Sequence, residues 1–150
     1  TAGTSFGYHL AMDGDTVVIG APLDQVGTHT LGAAYVFTRR SQGWLQDRKL
    51  VAKDSDTFDG YGWRVAINGD TIAVGSMNDH DAALSGGAAY VYKRNGQSGW
   101  SLLEKLFASD AARDDVFGSA VAVSNNTVLV GAIGRSDVAF LAGAAYIYDF

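Results

Sequence analysis

Three blocks of sequence recur in fixed order at a near-constant step, and this periodicity constrains the fold more than any other feature. FGYHLAMDGDTVVIGAP begins at Phe6; YGWRVAINGDTIAVGS begins at Tyr61 and FGSAVAVSNNTVLVGA at Phe117, successive steps of 55 and 56 residues. A second block reads LGAAYVF from Leu31, GGAAYVY from Gly86 and AGAAYIY from Ala142. A third occurs twice, as GWLQDRKLVAKD from Gly43 and GWSLLEKLFASD from Gly99. Self-similarity at a step of this length marks a repeat architecture, in which each unit buries its faces against equivalent neighbours.

Each unit reads as four short strands. Strand one covers Gly7–Met12, Gly62–Ile67 and Gly118–Val123, apolar at alternate positions. Asp13-Gly14 and Asn68-Gly69 follow as two-residue hairpin signals for a type I′ turn, with Asn125-Asn126 in the third copy. Strand two, Thr16–Ala21, Thr71–Ser76 and Thr127–Ala132, is continuously apolar and β-branched, the pattern of a strand covered on both faces. The Gly-Ala-Ala-Tyr block supplies strand three, whose small residues allow a neighbouring sheet to approach closely. Strand four carries Trp44 or Trp100, read as packing anchors. No stretch has helical periodicity of useful length. Four-stranded units of about 50 residues, apolar front and back, predict an all-β fold of β-propeller blades. One domain, 1–150, is expected: blade one at about 6–53, blade two at about 61–108 and an incomplete third at about 117–150.

Composition narrows the function. The net charge is −5, which argues against nucleic acid as a partner. No cysteine is present, which removes disulfides, thiolate metal sites and a cysteine nucleophile. No apolar run is long enough for a membrane-spanning helix. A start at Thr1 without a signal peptide reads as a mature form or an excised fragment.

Phe6-Gly7 with Gly20-Ala21-Pro22 resembles the FG-GAP repeat, the blade unit of integrin α-subunit propellers and of many secreted or surface proteins. Tyr61-Gly62 with Gly75-Ser76, and Phe117-Gly118 with Gly131-Ala132, are its diverged copies. The resemblance implies an extracellular or surface location and an adhesion-type binding role. Integrin-type copies hold calcium in a D-x-D-x-D-G-x-x-D loop between strands one and two. Here that interval holds only Asp13, Gly14, Asp15 and Thr16, and repeat two offers Asp70 alone. The calcium function is therefore not carried over, and no cofactor is expected.

Up-and-down connectivity gathers the loops joining strands two and three, and strands four and one, at one end. That end receives most of the 16 acidic residues, including Asp24, Asp54, Asp56, Asp59, Asp79, Asp81, Asp110, Asp114, Asp115 and Asp137. Loops on one end of a rigid scaffold are where binding concentrates, so Asp24, Asp79, His80, Asp81 and Asp137 form the candidate ligand face. Loop aspartates also cap turns, and that structural role competes at each position. Asp54, Asp56 and Asp59 have a D-x-D-x-x-D spacing able to converge on a metal ion. Trp63 and Arg64 do not recur in the other repeats: Trp63 suits either packing or stacking on a sugar, and Arg64 a place on the central channel. No Ser-His-Asp set occurs and Glu104 is the only glutamate, so no catalytic residues are assigned. Two and three-quarter blades leave two apolar sheet faces uncovered, which implies a homo-oligomer or docking to further blades. The expected function is thus a non-catalytic protein-interaction module. A glycan-binding propeller or accessory domain, and a structural fragment without a ligand, are the alternatives.

Overall fold

The computed structural model describes residues 3–96, 99–136, 139 and 141–150. It contains thirteen strands and, among the described residues, no helix. Blade one is the antiparallel sheet β1 (Leu10–Asp13), β2 (Thr16–Ala21), β5 (Ala33–Arg40) and β6 (Gly43–Leu50). A small hairpin, β3 (Gln25–Val26) with β4 (His29–Thr30), projects from its β2–β5 connection. Blade two runs β7 (Tyr61–Asn68), β8 (Thr71–Ser76), β9 (Ala88–Asn95) and β10 (Gly99–Leu106). Blade three has β11 (Phe117–Ser124), β12 (Thr127–Ala132) and β13 (Ala144–Asp149). The four-strand meander and its three-strand third copy are as the periodicity predicts.

The first two hairpin turns fall one position later than expected, and the third falls on Asn125-Asn126 as expected. Asp13 pairs with Thr16, Asn68 with Thr71 and Ser124 with Thr127, so the central residues are Gly14-Asp15, Gly69-Asp70 and Asn125-Asn126. Only the first of each pair has positive φ, so these are not the type I′ turns expected. The second residue instead directs its carbonyl to strand three: Asp15, Asp70 and Asn126 accept the amides of Arg39, Arg94 and Phe150.

The paired signature glycines have a steric cause. Gly62 and Gly118 sit at φ +90° and +85° in bulges where strand one slips against strand two. A Cβ on Gly20 would stand 2.1 Å from the Gly62 carbonyl oxygen, and one on Gly75 2.1 Å from that of Gly118. The Phe-Gly glycine of one blade therefore lies against the Gly-Ala glycine of the blade before it. Parallel bridges from Gly32 to Tyr61 and from Gly87 to Phe117 close the same junctions. In blade one the first strand forms a ladder only from Leu10, shorter than the expected start at Gly7.

Two apolar layers fill the gaps between sheets. The first joins Val18, Val36 and Leu50 of blade one to Tyr61, Val65, Ile72, Tyr90 and Trp100 of blade two. The second joins Ala73, Val91 and Leu106 of blade two to Phe117, Val128 and Val130 of blade three. Only the middle blade is covered on both sides. All six residues of β8 are buried, whereas β2 and β12 are covered on one face and partly open on the other. Trp44 shows the same dependence on position: Trp100 is buried between blades, but its counterpart Trp44 is exposed on the front of blade one, so it anchors no blade interface here.

Candidate functional site

The loop end expected to present free aspartates is a set of internal ion-pair nodes, one per blade. The Tyr of the Gly-Ala-Ala-Tyr block stands at the centre of each. In blade one, Lys49 on β6 lies 2.9 Å from Asp24, and the Tyr35 hydroxyl donates to the same carboxylate. Burial pushes the Asp24 carboxyl up, but the hydrogen bonds from Tyr35 and Lys49 outweigh it and hold the group below the ordinary range.

In blade two, Lys105 on β10 gathers three carboxylates: Asp79 at 2.8 Å, Asp54 at 2.9 Å and Asp81 at 2.6 Å. Tyr90 donates to Asp79 at 3.1 Å and Asp54 at 3.3 Å. Burial opposes the Lys105 charge, yet the surrounding carboxylates prevail and its pKa lies well above the usual lysine value. Burial raises Tyr90 strongly as well.

Blade three is neutralised from a different place. The loop after strand two has the same backbone pattern in each blade: the amides of Gly32, Gly87 and Gly143 donate to the carbonyls of Asp24, Asp79 and Arg135. Arg135 thus occupies the position that holds an aspartate in the other two repeats. Its guanidinium reaches Asp110 and Asp115, each at 2.8 Å, and Tyr146 donates to Asp110 at 2.6 Å. Burial and the Asp110 hydrogen bond lift the Tyr146 pKa to about 12. The cation that β10 supplies to blade two comes, in blade three, from the loop itself.

Asp24 and Asp79 are therefore buried in ion pairs and do not form an exposed ligand face, and Asp81 is tied to Lys105. Asp137 lies outside the described residues. His80 stands with its Nδ1 3.5 Å from Asp59 Oδ1. The D-x-D-x-x-D residues take separate partners. Asp54 turns to Lys105, while Asp59 accepts the Asp56 amide at 2.6 Å and the Ser55 hydroxyl at 3.2 Å. Among the described residues, no three His, Cys, Asp or Glu side chains are grouped to hold a metal ion. Asp59 is itself under tension: its Oδ1 is buried without a hydrogen-bond partner, and burial followed by the nearby Asp79 charge raises its pKa. The matching Asp115 accepts the Ala112 amide at 2.7 Å and the Arg135 guanidinium.

Arg135 was expected at this end together with Lys53 and Arg113, but sequence reasoning missed the two lysines on strand four. Lys49 and Lys105 recur one step apart, each before a leucine, in the third block, and that recurrence is the signal that marks them.

The remaining surfaces are the two uncovered sheet faces. On blade one, Phe6, Leu10 and Met12 are exposed; the residues one step on, Tyr61, Val65 and Ile67, are buried. On blade three, Leu129 and Ile147 are exposed, whereas Ala73 and Val91 one step earlier are buried.

Two four-stranded sheets and a three-stranded one, leaning on one another through glycine-packed junctions, define a β-propeller segment. The FG-GAP repeat profile matches residues 1–37, 44–92 and 100–148, nearly the whole chain. The chain belongs to the FG-GAP repeat family. The second and third matched segments each take the outer strand of one blade and the three inner strands of the next. No curated protein matches the chain. Among solved structures it is similar to Sqt1 of Saccharomyces cerevisiae, at 13% identity and a TM-score of 0.58, over 99% of this chain and 33% of that one. The chain thus spans about a third of that protein's length, and the likeness is one of fold. No helix among the described residues is long and apolar enough to cross a membrane.

Proposed function

We propose that this chain is a non-catalytic interaction module of an extracellular or surface protein, working through the open faces of blades one and three. Each face takes a further blade, supplied by another copy when the chain is alone. The observation that carries this reading is the exchange of exposure between equivalent positions. Leu10 is 61% exposed where Val65, in the same place one blade on, is 1% exposed. Ile147 is 68% exposed where Val91 is fully buried. The covered state of each face is already present once inside the molecule, so its complement is a blade of the same kind.

The nodes support the same reading. Asp54 and Asp110, from the loops entering blades two and three, complete the clusters around Lys105 and Arg135. Blade one holds Asp24, Tyr35 and Lys49 without such a carboxylate. A blade seated in front of it has a lysine to meet. FG-GAP membership supports the adhesion-type role and the outward location.

Light scattering tests the proposal. The expected particle is heavier than the 15.8 kDa chain and falls to that mass in Leu10→Lys and Ile147→Lys. A 15.8 kDa particle at millimolar concentration, or association unchanged in both variants, refutes docking through these faces.

A further inference from the structure

Strand one carries side chains that blade packing does not require. Tyr8, Trp63 and Ser119 are equivalent, as are His9, Arg64 and Ala120. Blade three shows what the fold needs there. Ser119 Oγ donates to the Gly131 carbonyl at 3.1 Å, the Ile133 amide donates to Ser119 Oγ at 3.4 Å, and Ala120 is exposed. A hydroxyl and a methyl suffice.

Blades one and two instead bring together two aromatics, a guanidinium and an imidazole. The rings of Tyr8 and Trp63 meet at 4.5 Å. The Arg64 guanidinium lies 5.9 Å from the Tyr8 centroid and 5.8 Å from that of Trp63, and Nη1 donates to the Trp63 carbonyl at 3.0 Å. No carboxylate among the described residues pairs with Arg64, in a chain with 16 acidic residues. His9 accepts the Val65 amide on Nδ1 at 3.3 Å, which leaves Nε2 as a donor. The Tyr8 side chain is partly exposed. Apart from the ring faces the cluster offers donors: the guanidinium edge, the imidazole N–H and the phenol. A guanidinium without a carboxylate partner among the described residues, beside an aromatic face, matches a planar anion attached to a ring with an apolar side.

We propose that Tyr8, His9, Trp63 and Arg64 form a binding site for a carboxylate-bearing saccharide of the uronate type. Arg64 takes the carboxylate, the Tyr8 ring carries the apolar face of the sugar, and His9 donates to a ring or hydroxyl oxygen. The site lies within one chain.

His9 supplies an internal reporter. Burial and then the Arg64 charge lower its pKa, and the Val65 amide works the other way. A carboxylate on Arg64 offsets that charge and moves the His9 titration upward. The experiment is an NMR titration of the chain with trigalacturonate, with maltotriose and triaspartate in parallel arms. Trigalacturonate is expected to raise the His9 pKa and shift the Trp63 indole signal, while the other two leave both unchanged. Arg64→Ala and Trp63→Ser install residue types that blade three carries at these positions, and each is checked by its melting curve. Arg64→Ala is expected to weaken trigalacturonate at least tenfold, with Arg64→Lys between it and the parent. Absence of any shift with trigalacturonate overturns the proposal, as does equal affinity in folded Arg64→Ala. Equal binding of triaspartate overturns the saccharide assignment.

Discussion

Gly75→Ala should separate blades two and three, and Gly131→Ala should not, although the two glycines hold the same place in their repeats. A Cβ on Gly75 meets the Gly118 carbonyl oxygen at 2.1 Å, where ordinary contact begins at 3.4 Å, so the junction must open by about 1.3 Å. The obstacle is backbone, held by a ladder on one side and packed against Ala88 on the other, and no side chain can turn away. Overpacking of this severity costs about 3 kcal/mol, which in a chain of this size lowers Tm by roughly 6–12 °C. A Cβ on Gly131 meets only the Ala120 methyl at 3.2 Å, which a shift of a few tenths of an ångström relieves. The loss of glycine freedom in the unfolded chain offsets that strain, so the net change stays within about 1 kcal/mol. Thermal melts followed by circular dichroism at matched low concentration compare the two variants. Equal Tm shifts, or a larger one for Gly131→Ala, would refute the claim that the signature glycines exist for contact between blades.

Lys105→Met removes the cation from three carboxylates, one of them fully buried, and should cost about 3–5 kcal/mol by denaturant titration. The Lys105 contribution is fully present below the ordinary lysine pKa of 10.5 and is lost as pH rises through its raised value in the fold; that of Asp54, whose net shift is downward, is present above 3.8 and is lost as pH falls through the lowered value. The gap between Lys105→Met and the parent should therefore be widest between these limits and narrow at either extreme. Asp59→Asn should stabilise the chain at pH 7 by about 1 kcal/mol, because an amide in that place carries no buried charge. The raised Asp59 pKa costs stability as pH rises above 3.8, and the variant should lose that slope. Asp115→Asn, which removes one of the two carboxylates that face Arg135, should destabilise by about 2 kcal/mol; a stabilised Asp115→Asn or a destabilised Asp59→Asn contradicts the contrast.

The blades were legible because alternation, hairpin glycines and the repeat step all pointed to the same strands. The electrostatics were not. Aspartates crowded into loops read as an exposed acidic end, since their cations lie on another strand or in the next blade. Asp54 and Lys105 are 51 positions apart, and Asp110 meets Arg135 across the second junction. Arg135 was especially obscure, because only the shared loop hydrogen bonds place it where Asp24 and Asp79 stand. Trp44 and Trp100 are indistinguishable in local sequence, and their opposite exposures follow from which blade has a neighbour in front. The β3–β4 hairpin of blade one has no counterpart among the described residues of the other two blades and carried no periodic signal.

The second and third matched segments of the family each tie an outer strand of one sheet to the inner strands of the next. Inserting or deleting one whole segment therefore leaves every junction with its glycine contact and its outer strand. Ring size in such a protein can change by duplication of a single stretch of gene, without any new contact having to be invented.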